Sequence, residues 1–117
     1  MGNVTSNKNN APIVINIKYS KLEKLIKDLK QNSESFKKSK IESLEEMDKN
    51  EYKLNFINLR NEIKNELINI RKSISNNTSM RDYSKSTIKL RKYLFEIQIL
   101  IKIHFEIIRD KSKLLIK

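Results

Sequence analysis

Apolar residues recur every three or four positions along the first third of the chain, which is the spacing of one helix face. The stripe contains Leu22, Leu25, Ile26, Leu29 and Phe36, and it continues as Ile41, Leu44 and Met47 after a phase slip over Gln31–Ser35. Ser20 and Glu23 stand just before the stripe as a capping box, in which both side chains accept hydrogen bonds from backbone N–H groups. The pattern predicts a first helix from about Ser20 to Asp48.

A second stripe predicts a helix from about Tyr52 to Ser75. Its members are Phe56, Leu59, Ile63, Leu67, Ile70 and Ile74. Charged residues on its flank, typical of a solvated bundle face, are Arg60, Glu62, Lys64 and Glu66. The polar segment Glu45–Glu51 is expected to form the turn before this helix, and the cluster Ser75–Ser79 is expected to end it. Such short connections make neighbouring helices antiparallel.

The last third, Met80–Lys117, fits two patterns. A helical seam is formed by Leu90, Leu94, Ile97, Ile101, Phe105 and Ile108. A strand is also compatible with it, because apolar residues alternate with polar ones from Phe95 to Ile107. That strand would be much longer than the usual length of about 5–6 residues and has no hairpin turn. We therefore favour a helix over residues 95–107.

A helical last third has a second apolar face. Phe95, Ile99 and Ile103 then lie opposite the seam, which predicts contact with a partner or with a second copy of the chain, as in a homodimer. A transmembrane span is not expected, because polar or charged residues interrupt the apolar run and each charge is costly in lipid. These residues are Glu96, Lys102, His104 and Glu106.

The N-terminal segment Met1–Pro12 has no apolar periodicity and is expected to be a disordered tail. Ile13–Tyr19 can form a short strand or an extended lead-in, and residues 13–117 are expected to fold as one domain. Gly2 and Ser6 match the N-myristoylation pattern, which also arises by chance. If Gly2 carries a myristoyl group, the chain could attach reversibly to a membrane.

Composition excludes most catalytic chemistry. The 117-residue chain has no Cys, one His and one Gly, which is Gly2. Disulfides, thiol nucleophiles and multi-histidine metal sites are therefore excluded, and so are phosphate-binding Gly-rich loops within the chain. We expect no enzyme and no cofactor. The scarcity of turn residues and the two helical stripes predict an all-α, antiparallel three-helix bundle. The absence of Cys favours a reducing compartment such as the cytoplasm.

Candidate chemistry is confined to charged groups. His104 has no second ligand and no catalytic partners, so we interpret it as a packed or surface histidine. Glu45 and Glu46 lie in a polar stretch and are expected to be solvated. The net charge is +11. The positive charge is most concentrated in one short segment, which contains Arg81, Lys85, Lys89, Arg91 and Lys92. Lys85, Lys89 and Lys92 share one helical face, which could be simply solvated or could meet phosphates or an acidic protein.

The start of the folded region has a short lead-in at Ile17-Lys18, followed by Ser20 and by the run Lys24–Asp28, in which two aliphatic residues lie between charged ones. These residues resemble the lead-in and first helix of the tubulin-specific chaperone A family, and the resemblance extends from Ile15 to about Ile74. Asn50–Leu54 is similar to the Y-D-L/I stretch that opens the family's second helix. Glu66–Arg71 occupies the place of the family's M-M-I-P-D segment without the proline, and the last third has no clear match.

The resemblance implies a three-helix bundle that captures β-tubulin stoichiometrically, without nucleotide hydrolysis, in the cytoplasm or at the cytoskeleton. The net positive charge suits β-tubulin or another acidic protein as the partner. Expected partner-binding residues are Tyr52, Leu54, Lys85, Lys89, Arg91 and Lys92. Two alternatives stay open: a membrane-associated helical adaptor acylated at Gly2, and a basic nucleic-acid-binding module. The second lacks stacking aromatics and any groove-reading motif.

Overall fold

The fold is known from a computed structural model that describes residues 17–77 and 80–116, with side chains for 17–75 and 85–116. Four helices occupy these ranges, and we number them α1 (Ser20–Lys38), α2 (Leu44–Lys49), α3 (Glu51–Asn77) and α4 (Met80–Leu115). The described ranges contain no strand, so the helical interpretation of the last third is confirmed. The expected tail, Gly2 and the start of the lead-in lie outside the described residues.

The three long helices form an antiparallel bundle, as predicted. The Tyr19 hydroxyl donates to the Ser86 carbonyl at 3.3 Å, which places the start of α1 beside the first part of α4. The side chain of Asn32 donates to the Tyr52 carbonyl at 2.8 Å, which places the end of α1 beside the start of α3. Helices α1 and α4 therefore run parallel to each other, and α3 runs antiparallel to both.

The core follows the predicted stripes over most of α1 and α3, but two predicted members are exposed: Leu44 is 48 % exposed and Phe105 is 51 % exposed. Beyond Ile97, α4 instead buries Leu100, His104 and Ile107, because it packs more closely on α1 than on α3.

The main cluster of the core joins α1, α3 and α4 and contains Tyr19, Leu22, Leu25, Ile26, Leu29, Phe56, Ile63, Ile70, Ile74, Leu90, Ile97 and Leu100. A smaller cluster of Phe36, Met47 and Ile107 closes the end of the bundle where α2 lies. The backbones of α1 and α3 pack together more closely than those of α3 and α4. A groove lies between α3 and α4.

The prediction of one continuous first helix to Asp48 is wrong, because α1 ends at Lys38. The Ser39 hydroxyl donates to the Phe36 carbonyl at 2.6 Å, and the Ser39 backbone is extended. Such local hydrogen bonds of a serine compete with helix continuation. Helix α2 then begins after Ser43, whose side chain accepts from the Glu46 N–H at 3.1 Å as an N-cap.

Two local predictions are also wrong. The expected turn Glu45–Glu51 is mostly helical, since α2 fills most of it and Asn50 alone separates α2 from α3. The expected capping box does not form: the N-cap of α1 is Tyr19, without a side-chain cap. The Glu23 carboxylate instead accepts a hydrogen bond from the Tyr93 hydroxyl at 2.6 Å. A tertiary hydrogen bond has replaced the local one.

Polar contacts fix α4 against α1 at both ends. At the start of α1 the contact is the hydrogen bond from the Tyr93 hydroxyl to the Glu23 carboxylate. Burial, together with this hydrogen bond, raises the pKa of Tyr93 to about 12. At the other end, the Lys111 ammonium donates to the carbonyls of Lys37 at 3.1 Å and Ser39 at 2.7 Å. A cation is favourable there because the last carbonyls of a helix have no intrahelical partners and carry partial negative charge.

Candidate partner-binding surface

Helix α4 is apolar on two opposite faces. The inner face is buried in the bundle and contains Leu90, Ile97, Leu100, His104 and Ile107. On the other side lies an exposed set that we call the outer row: Ile88, Phe95, Ile99 and Ile103. Their spacings of seven, four and four residues put them on one helix face. The sequence predicted this second apolar face, and the structure leaves 65 % of Phe95 exposed.

Lysines accompany the outer row. Lys85 and Lys92 are exposed and lie three or four positions from Ile88 and Phe95, so they flank the row on the same side of α4. The Lys89 ammonium lies 4.8 Å from the centre of the Tyr19 ring, a cation–π contact towards α1. The first half of α4 therefore presents apolar and cationic groups side by side.

The predicted partner-binding residues do not form one site. Leu54 is 48 % exposed near the start of α3, and Tyr52 is half-buried against the smaller core cluster. Because α3 runs antiparallel to α4, these two residues lie at the end of the bundle opposite residues 85–92. Sequence spacing could not show this separation, since it depends on how the helices pair.

Arg91 lies apart from the three lysines. It lines a cavity of about 310 Å³ between α3 and α4, together with Arg71, Ile74 and Leu94. A larger groove of about 570 Å³ also includes Arg71 and extends towards the start of α3. We call the two cavities together the α3–α4 groove. The described side chains that line it are Ile57, Arg60, Asn61, Ile63, Lys64, Leu67, Ile68, Arg71, Ile74, Ser75, Thr87, Leu90, Arg91, Leu94, Ile97 and Ile101.

The sequence pattern predicts a solvated flank at Arg60 and Lys64 and does not show the groove that these side chains line. The sequence does contain one sign of a second surface on α3: Ile57 and Ile68 are three turns apart and lie off the main stripe of this helix. They are 51 % and 42 % exposed in the structure. Apolar residues outside a complete core stripe indicate a second surface on the same helix.

His104 is the packed histidine that the sequence allowed. It is 1 % exposed and stacks on Phe56 with the ring centres 3.6 Å apart, while Phe36 lies 5.2 Å away. Its Nδ1 atom is buried without a hydrogen-bond partner. Burial, with a smaller effect from the Lys53 charge, lowers the pKa of His104 to about 4. The imidazole is therefore neutral at neutral pH and contributes to packing.

Other candidate chemistry is weak in the described part of the chain. Glu45 and Glu46 are exposed on α2, where Glu45 pairs with Lys49 at 3.2 Å and Glu46 accepts from the Glu42 N–H at 2.9 Å. No group of three or more His, Asp or Glu side chains there could hold a metal ion. None of the helices described is both long enough and apolar enough to cross a membrane.

Comparison with known proteins found no matching family model, no similar curated protein and no similar solved structure.

Proposed function

We propose that this protein is a non-catalytic binding protein that captures β-tubulin through the outer row of α4 and the lysines beside it. The observation that carries the proposal is Phe95, a large aromatic side chain that is mostly exposed in line with three isoleucines. The choice of β-tubulin rests on the resemblance over Ile15–Ile74, and the bundle agrees with the fold which that resemblance implies.

The chemistry of this surface suits the capture of an acidic protein. Lys85 and Lys92 attract an acidic partner and accelerate the encounter, whereas apolar side chains that lose contact with water slow dissociation. Complete burial of the exposed part of Phe95 would contribute at most about 2–3 kcal/mol from its apolar area. A few such anchors suffice for a stoichiometric complex, and no bond needs to be made or broken.

Substitution of Phe95 tests the proposal. Tagged protein should retain β-tubulin from a eukaryotic lysate and bind purified tubulin, and Phe95→Asp should weaken this binding by at least about tenfold because a charge replaces the anchor. Leu44→Asp is the matched control, since Leu44 is 48 % exposed on α2, away from the outer row. Circular dichroism should show unchanged folding of both variants. Failure of the parent to bind β-tubulin, or equal binding by Phe95→Asp, would refute the proposal.

Salt distinguishes this function from nucleic-acid binding. Phosphate contacts release counterions, so nucleic-acid affinity should fall steeply as salt is raised. An interface with apolar anchors should lose mainly association rate. We expect tubulin binding to survive moderate salt and RNA or DNA binding to be weak and independent of sequence. Salt-resistant binding of RNA or DNA without tubulin binding would assign the protein to the nucleic-acid class.

The partner-binding residues that the sequence predicts at the start of α3 allow a second comparison of tubulin binding. Leu54→Asp probes the start of α3 without disturbing the core, because Leu54 is already half exposed. Tyr52→Ala is less informative, since Tyr52 packs on the smaller core cluster and its removal also destabilises the fold. If Leu54→Asp weakens tubulin binding as much as Phe95→Asp does, the interface extends along both ends of the bundle.

A further inference from the structure

The α3–α4 groove is a second unpartnered surface. Ile63, Leu67, Ile97 and Ile101 form its apolar floor, and Ile57 and Ile68 extend the apolar surface along α3. The described lining residues include none of the outer row. The two surfaces are therefore separate, and a ligand of the groove need not be a ligand of the outer row.

The charge of the groove is of one sign. Its described lining contains four cationic side chains, which are Arg60, Lys64, Arg71 and Arg91, and no Asp or Glu. The cavity between α1 and α3 differs, because Asp28 and Glu62 line it together with amides and a serine. A basic lining is thus a property of the α3–α4 side. It favours a ligand that combines apolar groups with negative charge.

The shape and the donor set of the groove favour a helical ligand. From Ile57 to Ser75 the groove follows α3 for about 27 Å, the length of a helix of about 18 residues. Arg and Lys are hydrogen-bond donors only, and the lining has few acceptors besides Asn61, Ser75 and Thr87, so it cannot pair with the successive N–H groups of an extended peptide. A helix satisfies its own backbone and needs only side-chain contacts. In this position the ligand would be a fourth long helix beside α1, α3 and α4, and it would cover the exposed side chains of Ile57 and Ile68.

The charge of this chain also argues against occupancy of the groove by one of its own segments or by a second copy. Residues 1–16 contain no Asp or Glu, so they lack the complementary charge. The three long helices each contain more Lys and Arg than Asp and Glu, so a second copy would bring like charge to the groove. Like-charge contacts disfavour association. The complementary ligand is therefore a segment of a different, acidic protein.

We infer that the α3–α4 groove binds an amphipathic helix of an acidic partner protein, with the apolar face of that helix on Leu67 and Ile101 and its carboxylates beside Lys64 and Arg71. This inference does not depend on the identity of the protein captured by the outer row. The partner helix carries apolar residues at spacings of three and four, with Asp or Glu on both flanks of that stripe.

A designed peptide tests the inference with the full chain. The probe is a fluorescent peptide of about 18 residues made of Leu, Ala and Glu, with leucines at i, i+3, i+4 and i+7 so that they form one stripe. A scrambled peptide of the same composition keeps the charge and removes the stripe. Fluorescence anisotropy measures both affinities, and methyl NMR signals of Ile57 and Ile68 report where the peptide binds.

Two double variants separate a local site from the general charge of the protein. Lys64→Glu with Arg71→Glu changes the groove, whereas Lys85→Glu with Lys92→Glu makes the same change in net charge on the outer face of α4. All four side chains are exposed, so neither variant disturbs the core. We expect the groove variant to bind the peptide at least about tenfold more weakly, and the outer variant to lose less than about threefold.

Further results support or overturn the inference. The scrambled peptide should bind at least about tenfold more weakly, and replacing every Glu of the probe by Lys should make it prefer the groove variant to the parent. No binding of the probe by the parent, equal binding of the scrambled peptide, or equal loss in both double variants would overturn the inference. Tighter binding of a poly-uridine oligonucleotide, lost only in the groove variant, would assign the groove to nucleic acid.

Discussion

Acid should destabilise this protein through His104. The folded state holds the imidazole between Phe36 and Phe56 and lowers its pKa to about 4, from an ordinary value of 6.5. The unfolded chain therefore takes up a proton at higher pH than the folded chain does. Stability is fully present above about pH 6.5 and is lost as the pH falls from there to about 4.

The size of the effect follows from the two pKa values. Each unit of difference corresponds to about 1.4 kcal/mol, so the whole shift is worth about 3 kcal/mol. Between about pH 7 and pH 5 the difference in proton binding amounts to about 2 kcal/mol of the free energy of unfolding. Lys53 is the charged group that adds to the shift, so Lys53→Gln should reduce it slightly.

Urea unfolding followed by circular dichroism measures this loss. The parent should lose about 2 kcal/mol between about pH 7 and pH 5, whereas His104→Leu should lose much less because it has no imidazole to protonate. The carboxylates are the same in both proteins, so the difference between the two pH dependences isolates the imidazole. Equal pH dependence of the parent and His104→Leu would show that His104 is accessible to protons in the folded state, contrary to its burial.

Three further substitutions test the packing. Ile63→Asp should cost more than about 3 kcal/mol, because Ile63 is buried in the main cluster and the new charge has no partner; a thermal melt like that of the parent would remove Ile63 from the core. Ser43→Ala should cost about 1 kcal/mol by removing the N-cap of α2, measured as a lower urea midpoint with increased amide exchange in α2. Tyr93→Phe should cost about 1 kcal/mol because the carboxylate of Glu23 loses its donor, and unchanged stability would mean that water replaces this hydrogen bond without loss.

The sequence predicted those features that depend on one helix at a time. The stripe from Phe56 to Ile74 located α3 within two residues at each end, because a long uninterrupted period leaves little choice of face. The exposure of Phe95 and Ile99 followed from the same geometry, since one helix cannot bury two opposite faces against a single core.

The missed features depend on local competition or on pairing between helices. Ile41 and Met47 continue the apolar spacing of α1, so the hydrophobic pattern does not show that the helix ends before Ser39. A hydrogen bond of the Ser39 side chain causes this break, and no Gly or Pro marks it in the sequence. Ile57 and Ile68 indicate a second surface on α3, but the α3–α4 groove itself could not be predicted, because its two walls are brought together by the spacing of α3 and α4.

The parallel alignment of α1 and α4 has a consequence for the order of folding. The hydrogen bonds that join these helices connect residues 67 to 74 positions apart, whereas the bond between Asn32 and Tyr52 spans 20. Closing a long loop costs more chain entropy, so the α1–α3 hairpin should form early in folding and α4 should dock on it later. Until then the inner and outer faces of α4 are both exposed, and the helix is vulnerable to aggregation for longer than the rest of the chain.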